Sequence, residues 1–97
     1  MIYILQFEQP LGNPAKSRGQ ARYYIGYCDD GKLEQRISEH RSGTGAKITR
    51  AAVRNGIGFR VVITLPGDRA EERRLKKRKN TPKLVAQLLK RQQREAQ

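Results

Sequence analysis

From Ile2 to Phe7 the chain reads IYILQF, with Ile2 and Ile4 on one side and Tyr3, Leu5 and Phe7 on the other, both sides apolar or nearly so. A strand covered on both faces has this pattern, so the spacing predicts a central strand. The following PLGNPAKSRGQ (10–20) concentrates Pro, Gly, Asn and Ser with Lys16 and Arg18 and reads as a long hairpin loop. ARYYIGYC (21–28) is a second strand, with Tyr23, Ile25 and Tyr27 on one face and Tyr24, Gly26 and Cys28 on the other. FRVVITL (59–65) is a third, whose Phe59, Val61, Ile63 and Leu65 fall on a single inner face before Pro66 and Gly67 break it.

Between and beyond the strands the period changes to that of helices. Leu33, Ile37 and His40 lie at i, i+4 and i+7 of a helix expected over 32–41, and Arg36 sits four residues before His40 at the edge of the same stripe. Both polar side chains are thereby expected at the border of core and solvent. A Gly-rich turn at Gly43 and Gly45 leads to a short helical pattern through Ile48, Ala51 and Ala52, closed by Asn55 and Gly56. DRAEERRLKKRK (68–79) reads as a short charged helix. Thr81 and Pro82 open a last one, with a stripe of Leu84, Val85, Leu88 and Leu89. Beyond Gln92 nothing apolar remains to bury, so a domain over 1–91 and a frayed basic tail over 92–97 are expected. This order of elements predicts an α+β domain with a small sheet, antiparallel at least in its first hairpin, and helices packed over it.

Charge narrows the possible partners. Lys and Arg number 21 against 9 acids among 97 residues, a formal charge of +12, and only 36% of residues are hydrophobic. A balance this basic favours a polyanion, and nucleic acid is the common case because each neutralised phosphate releases condensed counterion. No apolar run approaches the ~20 residues of a membrane span. MIYILQFEQP lacks the basic start and small-residue cleavage site of a signal peptide, and a cytoplasmic protein is expected. Cys28 is the one cysteine and His40 the one histidine, so neither a disulfide within the chain nor a four-ligand Cys/His zinc site can form. A metal would have to bind through oxygen.

Five separated elements together resemble the successive motifs of the GIY-YIG endonucleases. They are Ile2–Tyr3, Tyr24–Ile25–Gly26, Arg36 with His40 four residues on, the stretch HRSGTGAKITRA (40–51), and Glu72 followed by Leu75–Lys76. The likeness covers residue 2 to about residue 90, and the 40–51 stretch is similar to the small single-domain branch of the family. The resemblance implies a three-stranded antiparallel sheet flanked by helices, DNA phosphodiester hydrolysis, and Mg²⁺ or Mn²⁺ as cofactor. It also implies Tyr3, Tyr24, Arg36, His40 and Glu72 as the catalytic set, with Glu72 the metal ligand. Tyr3 corresponds to a base or proton relay for the attacking water. Met1 stands where the family's first motif has Gly, the 10–20 loop is longer than usual, and Ile48 replaces a frequent aromatic.

The residue types suit that chemistry. Hydrolysis of a phosphodiester requires a water to lose a proton and the phosphoryl charge to be stabilised. A phenol with pKa near ~10 is a weak base at neutral pH unless nearby cations lower it, which a basic protein can supply. Arg36 offers a planar fork of donors to phosphate, and His40 a proton-transfer group. One carboxylate with substrate oxygens and water suits Mg²⁺. Lys16, Arg18, Arg41, Lys47, Thr49, Arg50 and Lys76 are expected to contact DNA, with RNA also open. The plainer alternatives are core tyrosines, a packed histidine, and a surface Glu72–Lys76 pair. A non-catalytic nucleic-acid-binding module, an RNA- or ribosome-associated basic protein, and a separate protein partner for targeting all remain open on these residues.

Overall fold

In the computed structural model, which describes residues 1–11, 21–78 and 81–95, strand β1 (Ile2–Leu11) lies between β2 (Ala21–Tyr27) and β3 (Phe59–Leu65) in an antiparallel three-stranded sheet of order β2-β1-β3. The central place of β1 follows from its two apolar faces. Ile2, Tyr3, Ile4 and Leu5 are all fully buried. Tyr3, Leu5 and Phe7 enter one core with Leu11, Cys28, Ile37, Ala52 and Phe59, while Ile2 and Ile4 enter a second with Ile25, Ile63, Leu84 and Val85. Helices α1 (Leu33–Arg41) and α2 (Lys47–Arg54) supply the first core; α4 (Thr81–Glu95) and Leu75 of α3 (Arg69–Lys77) supply the second.

The element order and the antiparallel first hairpin are those the periodicity predicts, β3 is antiparallel to β1 as well, and four details differ. β1 continues to Leu11, because pairing survives where the apolar alternation ends. Leu11 meets Ala21 after an irregularity that begins at Gln6, a stretch containing Pro10, which has no N–H to give to a ladder. β3 does not present one inner face. Its register against β1 slips between Ile4↔Ile63 and Leu5↔Val61, so Val62 is an extra residue. Phe59 and Val61 then pack in the first core, and Val62, Ile63 and Leu65 in the second. Leu89 of the expected α4 stripe is exposed. Finally, α4 is helical to Glu95, past the expected end at Gln92. Once a helix is nucleated each further residue adds a hydrogen bond, and Gln, Arg and Glu are good helix formers, so no buried face is required.

α3 lies against the edge strand β2, the position where an unpaired ladder most needs covering. Asp68 caps its start by accepting a hydrogen bond from the Glu71 amide at 2.9 Å. Glu71 and Glu72 occupy the first turn, with Arg74, Lys76 and Lys77 in the last, in agreement with the helix dipole. The expected phosphate contacts Lys16 and Arg18 lie outside the described residues. No helix among the described residues is long and apolar enough to cross a membrane.

Gly26 is where the sheet makes room for chemistry. It stands opposite Tyr3 in the β1–β2 ladder, and a Cβ there would come within 2.3 Å of Tyr3 Cζ and 2.4 Å of its hydroxyl oxygen. Gly26→Ala must therefore displace a fully buried ring. The expected outcome is a loss of about 1–3 kcal/mol in urea unfolding, the usual cost of overpacking. A loss below about 0.5 kcal/mol would show that Tyr3 is not held against Gly26.

Candidate active site

Tyr3 reaches up from the middle of β1 to the inward face of α1. Its hydroxyl oxygen is 2.6 Å from His40 Nε2, and both residues are fully buried. On the other side of the imidazole, Nδ1 is 2.8 Å from Thr49 Oγ1 of α2. The Thr49 hydroxyl donates to the Ala46 carbonyl at 2.8 Å, and the Ala46 amide stands 3.4 Å from the same Nδ1. Gly45 clears this space as Gly26 clears the space at Tyr3, since a Cβ at residue 45 would lie 2.3 Å from His40 Nδ1. Among the described residues no buried side-chain nitrogen or oxygen lacks a partner.

Tyr24, opposite Leu5 in the β1–β2 ladder and diagonal to Tyr3, completes an aromatic cluster. Its ring centroid is 6.3 Å from that of Tyr3 and 5.5 Å from that of His40. Lys76 Nζ lies over the Tyr24 ring, 5.0 Å from its centroid, and pairs with Glu72 Oε1 at 3.3 Å. Arg36 hydrogen-bonds to Glu39 Oε2 at 2.8 Å, and its guanidinium is near enough to the Tyr3 hydroxyl to favour the charged phenolate. One connected set of contacts thus runs from Glu72 through Lys76 and Tyr24 to Tyr3, His40 and Arg36. All five residues expected as catalytic belong to it.

Burial decides the protonation of the central pair. The Tyr3 phenol is pushed up to about 12, by burial first, against the opposing pull of the Arg36 guanidinium. The expectation that nearby cations lower this phenol is therefore overturned; desolvation outweighs the one guanidinium in reach. His40 is pulled down to about 4, again by burial first and then by the charge of Arg36, with Glu39 opposing. At neutral pH both groups are uncharged. Neither is at the core–solvent border: His40 is inside, and only Arg36, whose side chain is 34% exposed, stays at the edge.

The remaining expected residues divide. Arg41, Lys47, Arg50 and Lys76 are exposed, the last of them paired with Glu72. Thr49 is not, being fully buried with its hydroxyl engaged by His40 and Ala46. Glu39, absent from the sequence expectations, holds the Arg36 guanidinium, and its i, i+3 spacing from Arg36 is the signal by which it could have been found. A cavity of about 450 Å³ opens beside the cluster, lined by Asp29, Lys32, Gln35, Arg36, Glu39 and Arg69 among others. Of the expected catalytic residues Arg36 alone lines it, so the cavity adjoins the aromatic cluster and does not contain it.

No family model, curated protein or solved structure matches this chain. The site is therefore read from its own geometry.

For Glu72, the question is whether the residues suit a divalent cation. Among the described residues no three His, Cys, Asp or Glu side chains converge on one point. A cage built from protein ligands is thus not on offer, and the single carboxylate, its side chain 16% exposed and flanked by Lys76, suits an ion that keeps most of its water. Mg²⁺ and Mn²⁺ fit that donor set.

His40 gives a stability test. Unfolded, it titrates near ~6.5; folded, near 4. Between those values the unfolded chain binds the extra proton. The contribution is therefore complete above pH ~6.5 and is lost as pH falls through 4, by on the order of 3 kcal/mol. Urea midpoints at pH 7 and pH 4 should fall further for the unmodified protein than for His40→Gln, whose carboxylates titrate alike. Equal falls would mean that His40 is not buried in its neutral form.

Proposed function

We propose that this chain is a metal-dependent endonuclease of the GIY-YIG type that hydrolyses DNA phosphodiester bonds. The observation that carries the reading is the convergence of Tyr3, Tyr24, Arg36, His40 and Glu72, drawn from two strands and two helices, into one contiguous set beside exposed cations. A core needs no such convergence. Apolar residues would fill the same volume without a buried tyrosine–histidine contact or a half-buried carboxylate.

In this reading the substrate side of the set is Arg36 and Tyr24. Arg36 keeps part of its guanidinium at the surface and stabilises the charge that develops on the phosphoryl oxygens. Glu39 orients that guanidinium and limits its net charge until phosphate arrives. Tyr3, sealed from solvent and uncharged, acts behind them as a proton relay with His40 and not as a base in open contact with water. Glu72 would hold Mg²⁺ or Mn²⁺, which when bound supplies positive charge at the phosphate. Arg41, Lys47, Arg50 and Lys76 contact the nucleic-acid backbone, which makes binding dependent on salt and largely indifferent to sequence. The complete burial of Tyr3 and His40 favours a second reading, a non-catalytic nucleic-acid-binding module of the same fold.

Incubation with supercoiled, branched and single-stranded DNA, with Mg²⁺ and with chelator, separates the two. Cutting that needs the metal supports the nuclease; binding without cutting of any of these substrates supports the module. The two neighbouring acids refine the test. Glu72 pairs with Lys76 beside Tyr24, whereas Glu71 pairs with Arg74 and its side chain is 41% exposed. Glu72→Gln is expected to abolish cutting and leave DNA affinity intact or improved, and Glu71→Gln to cut within about threefold of the original rate, as suits a surface pair. A dead Glu71→Gln beside an active Glu72→Gln would contradict the assignment.

A further inference from the structure

The hydrogens around His40 can be counted. Thr49 has one hydroxyl hydrogen, Tyr3 has one, a neutral imidazole has one, and a guanidinium only donates. Two arrangements are possible. In the first, His40 Nδ1–H donates to Thr49 Oγ1 at 2.8 Å, Thr49 donates to the Ala46 carbonyl at 2.8 Å, and Tyr3 donates to His40 Nε2 at 2.6 Å. Every close contact then has its hydrogen. Only the Ala46 amide, 3.4 Å from Nδ1, is left without an acceptor there. In the second, Nε2–H donates to Tyr3 and Thr49 donates to Nδ1. The Thr49 and Ala46 oxygens then face each other at 2.8 Å with no hydrogen between them, and the Tyr3 hydrogen has nowhere to go because Arg36 can only donate to that oxygen. The second arrangement forfeits one contact of normal length and leaves the Tyr3 hydrogen unplaced, to keep one contact beyond the usual range.

We infer that Thr49 is a positioning residue that fixes His40 as the Nδ1–H tautomer, so that the Nε2 lone pair always faces the Tyr3 hydroxyl and any proton passing through the pair moves from Tyr3 to His40. This rests on the relay proposed above for the direction of proton flow, but the tautomer itself does not. Imidazole in water favours the opposite Nε2–H form, so the protein has to reverse the intrinsic preference, and Thr49 with the Ala46 carbonyl behind it is the device that does so. Gly45 belongs to the same device, since any side chain there would collide with Nδ1.

His40 is the one histidine of the chain, which makes the tautomer directly readable. A long-range ¹H–¹⁵N correlation spectrum of the ¹⁵N-labelled protein at pH 7 should show a pyrrole-type Nδ1 and a pyridine-type Nε2. Thr49→Val, near the same shape without the acceptor oxygen, should shift His40 toward the Nε2–H form and lower the cleavage rate roughly 10²-fold at unchanged DNA affinity. Thr49→Ser should restore both signals. An Nε2–H tautomer in the unmodified protein, or a Thr49→Val protein that keeps Nδ1–H, overturns the inference, and the first needs no variant to fold. If the tautomer is as expected and moves with Thr49 but the unmodified protein cuts no DNA, the positioning role stands and the nuclease reading falls.

Discussion

The contact between the Tyr3 hydroxyl and His40 Nε2, 2.6 Å long and shut off from solvent, is the constraint around which the first core is arranged. Leaving either group without its partner in that interior would cost about 1–3 kcal/mol. Several otherwise unrelated features keep them together. β1 is central, so Tyr3 is held by ladders on both sides. Gly26 leaves space for the phenol and Gly45 for the imidazole. The turn between α1 and α2 brings Thr49 behind the ring, although the two residues lie on different helices.

Charge is distributed in layers about this pair. At the centre both titratable groups are neutral, because burial raises the phenol and lowers the imidazole. Around them stand ions already matched, Arg36 with Glu39 and Lys76 with Glu72. Outside lies an excess of cations, part of a formal charge of +12. A phosphate entering such a surface meets positive charge first and matched ions next. Under the proposed function it would approach the neutral pair by way of Arg36 and Tyr24. In the proposed relay neither group would act as a free base, because burial raises the phenol to about 12 and lowers the imidazole to about 4.

Much of this was legible in the residues, for reasons that are physical. The two apolar faces of Ile2–Phe7 leave a central strand as their only comfortable place, and the i, i+4, i+7 spacing of Leu33, Ile37 and His40 is enough to turn His40 toward the sheet. Local pattern could not carry the extra Val62 in β3, because a bulge is a property of the pairing and not of the strand. Nor could it show how deeply His40 is buried. That depends on Tyr3 and Thr49 closing over it from elements separated along the chain. Thr49 was mistaken for a surface group for the same reason: within its basic stretch it resembles its neighbours Lys47 and Arg50, and only the fold tells it apart. The lowering of the Tyr3 phenol by cations failed because net charge says nothing of dielectric, and at a fully buried site desolvation decides.

If the Tyr3 hydroxyl moves a proton during phosphodiester cleavage, as proposed, Tyr3→Phe removes the one atom responsible. The ring remains to fill the core beside Gly26, so the variant should fold, with a modest loss of stability from the orphaned His40 nitrogen. DNA affinity should be unchanged, since Tyr3 is covered and the phosphate contacts lie elsewhere. The single-turnover rate of cutting at saturating DNA and Mg²⁺ is predicted to fall about 10²–10⁴-fold. A folded Tyr3→Phe protein that binds DNA normally and cuts within about threefold of the original rate would contradict the account and leave the buried pair with a structural role alone.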